Sequence, residues 1–89
     1  MSKIIIHRRA TKYLQKLPKQ HKERIKKSLK QLEPAPMEFP NIRHMIGDWA
    51  GYHRIRIGNM RVIFWFDEDE DIVYIDHIGS RGDIYKKRR

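Results

Sequence analysis

Hydrophobic residues recur along this chain with two different periods, and the switch between them divides it into a helical half and a strand half. The chain starts with a short exception: Ile4-Ile5-Ile6, a β-branched run between Lys3 and His7, suits a strand buried on both faces. Ala10, Tyr13, Leu14 and Leu17 then return at helical spacing, and Pro18 stops that helix and opens the next. The second helix is predicted to run to about Glu33, with Ile25, Leu29 and Leu32 as its apolar stripe and Lys22, Lys26, Lys27 and Lys30 over the rest of its surface. The two read as an antiparallel hairpin with one apolar face.

Pro34, Pro36 and Pro40 break regular structure, so the stretch to about Gly47 reads as a connector pinned down by Met37, Phe39, Ile42 and Met45. Beyond it the period drops to two. Strands are predicted over about 51–57, 60–66 and 72–78, separated by the tight turn Gly58-Asn59 and by the acidic run from Asp67 to Asp71. The order is β-α-α-β-β-β. The helices must cover one face of the sheet, because their stripe has nothing else to bury against. The expectation is an α+β fold: a helical hairpin packed on one face of a small, mostly antiparallel, twisted sheet. No repeat or composition break divides residues 1–89, which read as a single domain.

Alternation assigns the faces. Ile55 and Ile57 share a side with Val62, Phe64 and Phe66, which places Tyr52, Arg54, Arg56, Arg61 and Trp65 together on the other. Burying unpaired arginines under the helices would cost several kcal/mol each, so the arginine side is the open one. In the last strand Asp76 or His77 must then point toward the helices. His77 is placed on the open side, because Arg81 has the same parity, and Asp76 is left needing a buried partner.

Charge sharpens this picture. The formal net charge is +9, and all of it lies in residues 1–33, which carry eleven Lys/Arg against two Glu; residues 34–89 balance at nine each. Such a surplus on a small domain favours a nucleic acid or another polyanion, and equally serves solubility. There is no cysteine, which excludes a disulfide framework and thiolate chemistry. The longest apolar runs, Ile4–Ile6 and Val62–Phe66, are far too short for a membrane span, and no apolar stretch marks a signal peptide; the expectation is a cytoplasmic protein with no membrane partner. The five histidines match no metal-ligand spacing, and residues 67–71 read as a solvated hairpin tip, so neither a metal nor another cofactor is expected.

The element order, the basic hairpin Tyr52-His-Arg-Ile-Arg-Ile-Gly-Asn-Met-Arg-Val-Ile-Phe64 and the ending Ile78-Gly-Ser-Arg-Gly-Asp-Ile-Tyr85 together resemble the RelE/ParE superfamily of bacterial and archaeal toxins from type II toxin–antitoxin pairs. The first stretch is similar to the superfamily's R-x-R-x-G-x-x-R-x-x-[FY] hairpin, the second to its closing R-x-x-[VI]-Y. The resemblance implies a RelE-like fold, a cognate antitoxin, and one of two activities. RelE-like members cleave mRNA in the ribosomal A site without a metal; ParE-like members poison gyrase. Carried over by residue, it implies catalytic roles for Arg61, Arg81 and Tyr85, with Arg54 and Arg56 holding phosphates. RelE itself has lysines where Arg54 and Arg56 stand, and many relatives have histidine where this chain has Ser80.

The residues fit that chemistry in outline. RNA supplies its own nucleophile, the 2′-OH, and a guanidinium fork matches two phosphate oxygens. Tyr85 is the candidate general base, an aromatic that stacks the nucleotide base, or an anchor for the tail. Trp65 could stack bases and His77 could contact phosphate. Lys86 and Lys87 extend the basic surface, and the lysine-rich helices could touch ribosomal RNA. The alternative is a non-catalytic protein- or nucleic-acid-binding module.

Overall fold

A computed structural model describes residues 2–80. Strand β1 (Lys3–Ile6) leads into helices α1 (Arg8–Gln15) and α2 (Lys19–Lys30). The chain then passes through a 3₁₀ turn (Pro36–Glu38), a two-residue strand β2 (Arg43–His44) and a second 3₁₀ turn (Gly47–Trp49). It ends in strands β3 (His53–Ile57), β4 (Met60–Asp67) and β5 (Ile72–Ser80). Pro18 sits one residue earlier than expected, as the N-cap of α2 rather than in its first turn.

The sheet runs β1-β5-β4-β3-β2, with β1 parallel to β5 and the other neighbours antiparallel. The α+β architecture is the one expected, with one addition: the connector contributes β2. A two-residue strand has no pattern long enough to register as a period, which is why the sequence reads as a loop there. The hairpin turn between β3 and β4 is closed by Gly58 at φ +60°, a left-handed conformation that glycine takes without strain. The Arg24 guanidinium lies over this turn, 3.1 Å from where a Cβ would stand.

One continuous core fills the space between helices and sheet. Ala10, Leu14, Ile25, Leu29 and Leu32 meet Ile55, Ile57, Val62, Phe64, Val73, Ile75 and Ile78, and Phe39 and Ile42 of the connector pack at its border. This is the face that alternation assigned to the helices. Met37, expected to pin the connector, remains exposed.

The ambiguity in the last strand is resolved by a β-bulge. Phe64 pairs with Ile75 and Ile63 pairs with His77, so Asp76 is an extra residue on β5. The bulge shifts the parity: Val73 and Ile75 face the helices before it, and Ile78 faces them after it. Neither Asp76 nor His77 has to point into the main core. Asp76 instead accepts a hydrogen bond from His77 Nδ1 at 2.8 Å.

A candidate polyanion surface on the second sheet face

The second face is not uniformly open. Residues 45–52 fold back over its middle as a strap. Trp49 and Ile63 form a small second core there, with Met45 and Tyr52 packed against it. Trp49 meets Tyr52 edge to face at 5.2 Å and His77 at 5.1 Å. Gly47 and Gly51, at φ +69° and +93°, turn the backbone on either side of Trp49. Tyr52 therefore belongs to the strap and not to the exposed arginine row where alternation placed it.

Toward β2 the face carries the arginines. Arg43 stands directly opposite Arg54, and Arg56 directly opposite Arg61. Facing positions on neighbouring antiparallel strands are about 4.5–5.5 Å apart at Cβ, so like charges there repel. Among the described residues Arg43, Arg56 and Arg61 have no carboxylate partner. Arg56, Gly58, Asn59, Arg61 and Ser80 line a hollow of about 340 Å³, and Asn41, Arg43, Arg54 and Arg56 line a second of about 210 Å³. Four guanidiniums thus border two adjoining hollows. Nothing in the residue order marks Arg43; its place depends on β2, a two-residue strand that carries no readable pattern.

His77 lies on the expected side of the sheet but is 3% exposed, beneath Trp49. This corrects its assignment as a phosphate contact: the strap stands between its ring and any nucleic acid on the surface. Burial pushes its imidazole below the ordinary value of 6.5; the Asp76 carboxylate opposes that shift, and Arg9 and His7 add to it. Its Nε2 is buried with no hydrogen-bond partner among the described residues. Burial and the neighbouring His44 lower His53 in the same way.

Trp65 shares the face with the arginines but not their cluster. It lies four residues from Arg61 on β4, about 13 Å along the strand, and stacks on Tyr74 with ring centroids 4.6 Å apart. Arg81, Tyr85, Lys86 and Lys87 lie outside the described residues.

Comparison with known proteins gives this surface a context. A family model described as the ParE toxin of type II toxin–antitoxin systems matches residues 4–85. The chain is 32% identical over 81 residues to the Methanocaldococcus jannaschii protein named RelE4, spanning 88% of this chain and 84% of that one. Its fold is similar to that in the archaeal RelE–RelB complex of Pyrococcus horikoshii, with TM-score 0.74, 30% identity, and 92% and 97% of the two chains covered. The Mycobacterium tuberculosis RelBE2 toxin–antitoxin complex superposes with TM-score 0.80 at 20% identity over 90% and 98%, a likeness of fold alone.

Proposed function

The chain belongs to the ParE toxin family of type II toxin–antitoxin systems, within the RelE/ParE superfamily, and from that premise we propose that it is a ribosome-dependent, metal-independent mRNA endoribonuclease that inhibits translation. The observation that supports this most directly is Arg56 standing directly opposite Arg61, neither with a carboxylate partner among the described residues. Like charges placed opposite one another on neighbouring strands destabilise the sheet unless an anion lies between them. A phosphodiester backbone supplies anions at a repeating spacing along such a surface.

In this reading the 2′-OH attacks the adjacent phosphorus, the P–O5′ bond breaks, the leaving O5′ takes a proton from water, and the products are a 2′,3′-cyclic phosphate and a 5′-OH. Arg61 and Arg81 hold the non-bridging oxygens as charge develops on them. Arg54, Arg56 and Arg43 bind flanking phosphates and fix the register. Tyr85 takes the 2′-OH proton as a phenolate, the form that positive charge favours. Because the nucleophile comes from the substrate, no metal-bound water is required. Lys86 and Lys87, with the lysines of α2, add non-specific affinity for messenger and ribosomal RNA. The antitoxin is an acidic, extended segment that offsets the basic surface and orders on binding.

Primer extension on a translated message tests this reading. Cuts within the A-site codon are expected, and Arg61→Ala and Arg81→Ala should lower cleavage more than ribosome binding. Absence of any cut at saturating protein would remove the nuclease.

A second reading has a specific observation behind it. The matching family model is the ParE one, Ser80 stands where the resemblance to RelE-like members implies histidine, and the strap encloses His77. A protein-binding toxin that inhibits gyrase, or a degenerate toxin acting as a binding module, needs no proton carrier. Inhibition of supercoiling by purified protein, with translation untouched, would favour it.

A further inference from the structure

The strap divides the second face into two ends, and the end away from β2 has a different chemistry. Register places Ile5, Tyr74 and Trp65 side by side across β1, β5 and β4, with Lys3, Ile72 and Asp67 as the next row. Ile5 is 38% exposed and Trp65 36%, so this is solvent-facing apolar surface rather than core. The Trp65 and Tyr74 rings are stacked within 13° of parallel, which holds the indole in one orientation. Among the described residues no strap or helix covers these side chains as Trp49 covers His77.

The border of the patch is acidic. Residues 67–71 are five consecutive acids. Two are engaged in the turn: Asp71 Oδ1 accepts from the Ser2 hydroxyl at 2.6 Å, and Asp67 Oδ1 accepts from the Glu70 N–H at 3.2 Å. Glu68, Asp69 and Glu70 are exposed, and within the two rows Lys3 is the single cation. In a chain of net charge +9, this turn holds five of the eleven acids, while Arg9 and His7 lie toward the other end of the row, near His77. A phosphate backbone running across Trp65 would meet those carboxylates, so the corner disfavours RNA.

We propose that the Ile5–Tyr74–Trp65 row, with the acidic turn beside it, is a docking surface for an arginine- and lysine-rich segment of another protein. The chemistry is complementary at each point. Long aliphatic stems bury against the row, a guanidinium lies over the exposed indole face, and the carboxylates at 68–70 take neighbouring cations. The surface is separate from the arginine half and does not depend on the nuclease reading. It gives the sheet face two polarities, one end for a polyanion and the other for a basic protein.

The test is titration of the full chain with a short peptide alternating arginine and leucine, followed by calorimetry and by the two indole N–H resonances, assigned with Trp65→Phe. The Trp65 resonance should move and that of Trp49 should stay. Trp65→Ala should weaken binding by about tenfold, and the exposed triple change Glu68→Lys, Asp69→Lys, Glu70→Lys by at least as much, since either removes contacts of the size that sets one decade of affinity. The three residues are exposed and belong to neither core, and an unchanged thermal melt of the triple variant separates lost binding from lost structure. Equal affinity in the triple variant would overturn the proposal. So would a Trp65 shift produced by a single-stranded RNA and not by the peptide. A shift that grows with concentration of the protein alone would do the same, by making the occupant a second copy.

Discussion

The two faces of this sheet are made by the same strands and the same pleat, yet they are built to different ends. The helix side carries one continuous core in which Ile55, Val62, Phe64, Val73 and Ile75 are all fully enclosed. The other side is divided: arginines at one end, a small covered core at Ile63 and His77 in the middle, and an aromatic row beside an acidic turn at the other end. The difference comes from what lies across each face. A helical hairpin presents an apolar stripe long enough to cover a sheet; a strap of residues 45–52 covers only its centre. What remains uncovered on the second side is an arginine end and an apolar row of Ile5, Tyr74 and Trp65.

Emptying each core in turn separates the two faces by the largest effect. Phe64→Ala should cost about 3–5 kcal/mol, the range for a large ring removed from an enclosed site, read by urea or thermal unfolding. Trp49→Ala should cost less, about 2–3 kcal/mol, because water can enter the site it leaves under the strap. Equal losses would mean that the two cores are one cooperative unit of equal packing.

Acid probes the same contrast, because both shifted histidines sit at the edges of these cores. His77 and His53 are held below their ordinary 6.5 in the fold, so between that value and the folded one the unfolded chain binds more protons. The stability they permit is complete above about pH 6.5 and is lost as the pH falls through the folded values, so the melting temperature should drop on going to about pH 5. His77→Gln should flatten part of that dependence. A melting temperature unchanged across this window would place both imidazoles in contact with water.

The smallest stability effect belongs to the arginine end. Arg56→Ala and Arg61→Ala should leave stability within about 0.5 kcal/mol, or raise it by relieving the facing charges, while each lowers the salt slope of RNA binding by about one unit. A large stability loss from either would show that the arginine is a structural residue.

Much of this was legible from residue order. Period-two alternation located Arg54, Arg56, Arg61 and Trp65 on one face, and the helical stripe of Ile25, Leu29 and Leu32 located the other. Alternation could not reveal the bulge at Asp76, because one inserted residue leaves every neighbouring side chain plausible on either face. Nor could it reveal β2, which pairs only because β3 offers it an edge and which brings Arg43 opposite Arg54.

Residue order fixes which side chains each strand presents to each side, because the pleat is a local property of the backbone and burying unpaired guanidiniums is too costly to permit the reverse. Which residues of the second side stay exposed is set by the folded chain. That depends on where a connector without periodicity folds back, a matter of long-range packing between Trp49, Ile63 and His77 that no local spacing encodes.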